Sequence, residues 1–271
     1  MPSLLSLTIG FGTAEIPIAT FVLSRLRHLH LRSGAAWALQ FLHTLESPDM
    51  ESMSFLPLGQ AWPDGAARGI ADVVASRWAR TLRAFTLTAD RIHDVAALAA
   101  CPHVARFALR VRTPPGGAFD IDAFVGIGRK GAGLSSLSLP PTAGIELASL
   151  SRFAALWPAL AFLKLNLINL APVPSLATTS VLSHGLKHLV FHSAAPRQEG
   201  DTRRLAHHLD RLFPRLDSVR DGGHAGEESV PTGPACLPGV SESGGIGIVH
   251  PPWATVLEEV FRCQDARRLG G

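Results

Sequence analysis

Glycines, histidines and cysteines are where chemistry would first show in this 271-residue chain. Gly126, Gly128 and Gly131, in the run GIGRKG, satisfy a GxGxxG pattern, and Glu146 follows Gly126 by twenty residues. Such glycines serve a dinucleotide by opening a helix whose N-terminus faces the pyrophosphate. Here they run into LSSLSLPP, a strand pattern closed by two prolines, so that helix is not expected and Arg129-Lys130 reads as a solvated turn. His28 with His30 and His188 with His192 share a strand face, as imidazoles converging on zinc would. A zinc site takes three or four ligands, and no Cys, Asp or Glu joins them there, so no metal is expected. His207 and His208 are adjacent on a helix, about 100° apart, and share no ligand role.

Cys101, Cys236 and Cys263 are odd in number and lack metal or redox spacing, which predicts reduced thiols in a cytoplasmic or nuclear protein. No GxSxG elbow, HExxH helix, GxxxxGK[ST] loop or paired-carboxylate pattern occurs, and Ser241 lies in a Gly- and Pro-rich stretch that could not hold a base beside it. Neither an enzyme nor a cofactor is expected. The opening MPSLLSLTIGFGTAEIP lacks a basic leader, and no run reaches the roughly 18 apolar residues of a membrane span. A net charge of +3 is too small to argue for nucleic acid by itself.

The elements that must position these residues follow from one spacing. In LKHLVF, starting at Leu186, apolar residues leave first two and then one position free. The spacing recurs at Leu26 (LRHLHL), Leu82 (LRAFTL), Val104 (VARFAL), Leu134 (LSSLSL) and Leu160 (LAFLKL), and more loosely at Leu4, Met50 and Leu216. Alternation of this kind describes a short strand with one buried face, and nine copies 22 to 32 residues apart describe a repeat.

Helical segments fill the connections. Trp37, Phe41, Leu42 and Leu45 share a face within 34–45, as do Ile70, Val73, Val74 and Trp78 within 64–81. Asp94 is expected to cap a short helix ended by Cys101-Pro102, and Asp201 one that runs to Phe213 before Pro214. Further helices are expected over 120–127 and 147–157.

Strand, helix, strand in this order is an α/β fold, an irregular leucine-rich-repeat solenoid with parallel strands on the concave side and helices on the convex side. It is expected over residues 1–220. A flexible Gly/Pro/Ser-rich insertion follows over 221–252, then a capping helix and tail over 253–271 in which Trp253, Val256, Leu257, Val260 and Phe261 cover the end of the stack. The chain opens inside a repeat at Leu4 without an N-terminal cap, which predicts a truncated product or one without a preceding domain.

Strand alternation turns the residues between the apolar positions to the opposite face. His28, His30 and Arg32 lie there, as do Arg106, Arg110, Lys164, His188, His192 and Arg220. None of the outward positions on the nine strands is Asp or Glu, although the chain carries 22 acids to 25 Lys and Arg. The expectation is a concave face of positive field that binds an acidic or phosphorylated protein partner.

From Leu4 to about Arg268 the chain resembles the leucine-rich-repeat part of fungal F-box proteins. The most distinctive stretch is LAHHLDRLFPRLDSV, a polar insertion, then WATVLEEVFRCQDARR. The resemblance implies the substrate-recognition part of a cullin-RING ubiquitin ligase subunit. No F-box is found in the chain, so the resemblance does not carry over the contact with a Skp-type adaptor. Two other readings stand beside this one: an enzyme or nucleotide-binding α/β protein using Gly126, Gly128 and Gly131, and a degenerate repeat protein without a partner.

Overall fold

The computed structural model describes residues 4–10, 20–58, 62–89, 92–111, 133–139, 144–168, 173, 184–191, 199–221 and 251–270. The chain forms two compact units, Met1–Thr142 and Ala143–Gly271.

In the first unit the strands are β1 (Ser6–Gly10), β2 (Phe21–Val22), β3 (His28–Ser33), β4 (Leu45–Glu46), β5 (Ser52–Pro57), β6 (Ala84–Ala89), β7 (Arg106–Val111) and β8 (Ser136–Ser138). β1, β3, β5, β6, β7 and β8 pair in chain order, all parallel, and Ser6, His28, Ser52, Ala84, Arg106 and Ser136 form one row across the sheet. β2 and β4 pair separately. Each repeat is locked to the previous one by the same device, a carbonyl just before the strand that accepts two successive N–H groups. Leu5 accepts from Arg27 and His28, Arg27 from Glu51 and Ser52, and Glu51 from Arg83 and Ala84. The pattern continues at Arg83 and Ala105. Arg27 and Glu51 also pair by side chain at 3.1 Å.

The apolar spacing fills the core as alternation requires. Leu29, Met53, Phe85, Phe107 and Leu137 are buried in one row, and Leu31, Phe55, Leu87, Leu109 and Leu139 in the next. Rings follow one another at 5.9 Å from Phe55 to Phe85 and 6.4 Å from Phe85 to Phe107. Helix α1 (Ala35–Thr44) buries Phe41 and Leu42, and α2 (Ala66–Trp78) buries Ile70, Val74 and Trp78 at one-turn intervals. Gly65, at φ +80°, supplies the left-handed residue that opens α2. Two buried indoles of this unit are satisfied by the turns beneath them: Trp78 Nε1 donates to the Ser47 carbonyl at 2.6 Å and Trp62 Nε1 to that of Ser33 at 2.8 Å.

Arg77 joins α2 to the end of α1. Its guanidinium donates to the carbonyls of Leu42, His43 and Leu45, and it lies 4.7 Å over the Trp78 ring. A helix end leaves its last carbonyls without intrahelical partners and carries partial negative charge, so a fixed cation there serves both needs. Arg77→Ala is expected to lower unfolding free energy by about 1–3 kcal/mol in urea titrations. Arg77→Lys should recover only part of that, because an ammonium lacks the fork that reaches several carbonyls. An unchanged midpoint for Arg77→Ala would show that the clamp contributes nothing.

The second unit holds β9 (Gly144–Glu146), α3 (Leu150–Leu156), β10 (Phe162–Ile168), β11 (His188–Phe191), α4 (Glu199–Leu212), β12 (Ser218–Asp221) and α5 (Pro251–Gly270). β9, β10, β11 and β12 pair in that order, all parallel, with Phe162, His188 and Ser218 in one row. The two-donor carbonyl recurs at Ala161 and Lys187. Leu163, Leu189 and Val219 point into the core with Leu165 and Phe191. Helix α5 packs Trp253 against Phe191 with ring centroids 4.6 Å apart, and Gln264 Nε2 donates to the Leu216 carbonyl at 3.1 Å. Asp210 of α4 pairs with Arg267, and Arg203 with Glu259 at 3.0 Å.

All nine strands expected from the apolar spacing are present, parallel within each unit, with helices in the connections. The fold class is α/β, an irregular leucine-rich-repeat solenoid. Several local expectations are corrected. Asp94 is not a cap: the element is a 3₁₀ helix, Ile92–Ala100, that begins before it. Val95, Leu98 and Cys101, three apart and all buried, suit three residues per turn better than 3.6. Asp201 likewise sits inside the first turn of α4, which starts at Glu199; a carboxylate there still complements the positive end of the helix. Phe261 is left 38% exposed on α5, off the stripe of Trp253, Val256 and Val260. Asp221 ends β12, and Pro251 and Pro252 open α5, where a missing N–H costs nothing. The expected helix over 120–127 and the remainder of the 221–252 segment lie outside the described residues.

Candidate functional site

The face of each sheet opposite the core is built by the same alternation. In the first unit its best-populated rows are Ser6, His28, Ser52, Ala84, Arg106 and Ser136, then Thr8, His30, Ser54, Thr86, Ala108 and Ser138. Arg32 follows in a third row, between Gly10 and Leu56. Arg32 is exposed and His28, His30 and Arg106 are half-buried, whereas Ser54, Leu56 and Ser136 are buried among their neighbours. His28, His30 and Arg32 are therefore brought together on β3. Arg106 stands three strands away on β7, about 14 Å at the usual strand spacing. Arg110 falls in register with Thr88.

In the second unit Lys164, Val190 and Arg220 share a row, and His188 stands in the adjacent one. Lys164 and His188 are half-buried. His188 is held across the strands, its Nδ1 3.0 Å from Ser218 Oγ. The side chains of Arg110 and Arg220, and His192 altogether, lie outside the described residues, as do Gly126, Gly128 and Gly131. One carboxylate stands on this face at a position that the apolar spacing does not reveal. Glu146, exposed, enters the register opposite Ile168 from β9, a three-residue strand too short to show an apolar period.

Other titratable groups lie away from these faces. His184 is buried between repeats, with Nε2 donating to the Trp157 carbonyl at 2.8 Å and Nδ1 accepting the Leu186 N–H at 3.0 Å. Burial pushes its pKa down against the opposing pull of the Trp157 carbonyl. A proton on Nδ1 would also face the Leu186 N–H, so the neutral ring is the one this turn accepts. Its only sequence signal is a position two residues before the LKHLVF strand pattern. Cys263 Sγ lies 3.3 Å from His207 Nδ1, a pairing that could activate a thiol. Burial and the carboxylates of Asp210 and Glu259 instead push the Cys263 pKa up, and burial pushes Cys101 to about 11, so neither is poised as a nucleophile. Among the described residues no three His, Cys, Asp or Glu side chains could hold a metal ion, and no helix is long and apolar enough to cross a membrane.

No family model matches the chain, and no curated protein matches it. Among solved structures it is similar to the leucine-rich repeat-containing protein LegL7 from Legionella pneumophila, at 13% identity and a TM-score of 0.39 over 88% of this chain and 82% of that one. A likeness at that score carries no weight, and the fold class rests on the strand register and the helical connections.

Proposed function

We propose that the chain is a non-enzymatic protein-binding scaffold whose first-unit strand face takes an acidic or phosphorylated segment of a partner. One observation carries this reading. The face positions of β1, β3, β5, β6, β7 and β8 include His28, His30, Arg32, Arg106 and Arg110 and no carboxylate, in a chain with 22 acids. The guanidinium groups of Arg32 and Arg106 can grip carboxylate or phosphate by two parallel hydrogen bonds, and the hydroxyls of Ser52 and Thr86 lie between β3 and β7 to accept or donate. The gap of about 14 Å is that of about four extended residues. A segment laid across the strands with acidic groups at that separation meets both basic clusters. Lys164, His188, His192 and Arg220 offer the same chemistry in the second unit, next to Glu146. The last helix, covering β12, acts as the C-terminal cap. In the F-box proteins that the chain resembles, such a face would recruit substrates for a cullin-RING ubiquitin ligase, and contact with a Skp-type adaptor is a separate measurement.

The test uses fluorescence anisotropy with peptides bearing aspartate or phosphoserine pairs four residues apart. The wild-type protein is expected to bind them more weakly as salt rises. The double variant Arg32→Glu, Arg106→Glu should lose at least tenfold in affinity, about 1.4 kcal/mol. Equal binding by the variant would sink the assignment.

A further inference from the structure

The first strand has the properties of an interface. β1 is the outermost strand of its sheet among the described residues and pairs only with β3, as β2, the other strand of the first repeat, pairs only with β4. Leu5 accepts two hydrogen bonds, from Arg27 just before β3 and from His28 at its start. Main-chain groups alternate sides along a strand, so Leu7 and Ile9 also turn theirs to β3, and the N–H and C=O groups of Ser6, Thr8 and Gly10 point outward at the edge. Strand edges are commonly blunted by charge or proline. Leu4 to Gly10 contains neither.

Among the described residues the apolar side of this edge is only partly covered. Leu7 and Ile9 are half-buried, whereas their register partners Leu29 and Leu31 are 2% and 0% exposed. Leu4, Leu5 and Val22, at the same end of the stack, are 44%, 50% and 64% exposed.

We infer that β1 pairs with β1 of a second copy of this chain, antiparallel, about a two-fold axis through Thr8. The occupant follows from the sequence of the edge, which reads the same in both directions in the terms that matter. Thr8 would face Thr8 of the other copy, and Ser6 would face Gly10. These are the three residues whose donors and acceptors point outward, so all of them are satisfied and each facing pair exchanges two hydrogen bonds. Leu7 would stand opposite Ile9 on the core side, where both are now short of neighbours. An axis perpendicular to the sheet keeps both core faces on one side, continuing the contact that β1 already makes with β3. With no charge on the strand, self-pairing brings no like charges together.

Sedimentation equilibrium of the whole chain tests this. The expected mass is twice 28.8 kDa at micromolar concentrations. Thr8→Pro removes an N–H that β3 does not use and should reduce the mass to that of one chain. As a second route that does not depend on proline being tolerated, Thr8→Cys should form an intermolecular disulfide on mild oxidation that the wild-type chain does not form. A wild-type monomer at high micromolar concentration, as expected if another segment of the chain covers β1, would overturn the inference. So would a dimer that survives Thr8→Pro and does not cross-link through Thr8→Cys.

Discussion

Replacing Trp253 by alanine is expected to lower the unfolding free energy of the second unit by about 3–5 kcal/mol. Trp253 is 1% exposed and its ring is 4.6 Å from that of Phe191, the last buried position of β11. β12 cannot complete this layer, because the register places Asp221 beside Phe191, where the other repeats carry an apolar residue. The indole of α5 supplies the missing volume. Truncation would leave a cavity against a packed ring, which a helix tied down by Gln264 and Arg267 can collapse only in part. Phe261→Ala is the internal comparison: on the same helix but 38% exposed, it should cost far less. Urea unfolding followed by far-UV circular dichroism measures both. Similar small losses for the two variants would mean that α5 is an appendage and does not close the stack.

Acidification below pH 6.5 is expected to destabilise the second unit through His184 and His208. Both are buried, and desolvation lowers the pKa of each in the folded state. The unfolded chain then binds protons that the folded chain refuses, so stability is complete above the ordinary histidine pKa of about 6.5 and falls as pH drops below it. The slope cannot exceed about 1.4 kcal/mol per pH unit for each histidine. Asp210 works in the opposite sense: burial raises its pKa against the pull of Arg267, so the folded chain takes up that proton more readily than the unfolded chain and acidification favours the fold through this one group. Urea midpoints at pH 7.5 and 5.5 should therefore differ, with the lower at 5.5, and His208→Gln should narrow the gap. Coincident midpoints would refute the linkage.

The strands were legible because one rule governs every repeat. A buried row must be apolar at alternate positions, so Leu189, Leu163 and Phe107 announce their neighbours in sequence as well as in space. The same alternation placed His28, Arg32 and Arg106 on the opposite face without any knowledge of the register. Elements too short for a period were not legible: β2 and β4 have two residues each and β9 three, and with β9 came Glu146. The 3₁₀ helix is visible only when Val95, Leu98 and Cys101 are counted at three per turn. Arg77 looks in sequence like one more solvated arginine on the polar side of α2. Its role depends on where α1 ends, which is a tertiary fact. His184 is similar, since a turn that needs one donor and one acceptor from a neutral ring leaves no spacing to read.

On the proposed function, the first-unit strand face reads negative charge on a protein segment. A charge-swap cycle tests it most directly, by titrating an acidic peptide and its lysine-substituted counterpart into the wild-type chain and into the Arg32→Glu, Arg106→Glu variant. The expected result is a crossed pattern: the acidic peptide binds only the wild type, and the lysine peptide regains affinity with the variant, giving a coupling energy well above the error of the cycle. If both peptides bind both proteins alike, or the variant loses one without gaining the other, the strand face is not the surface that reads charge.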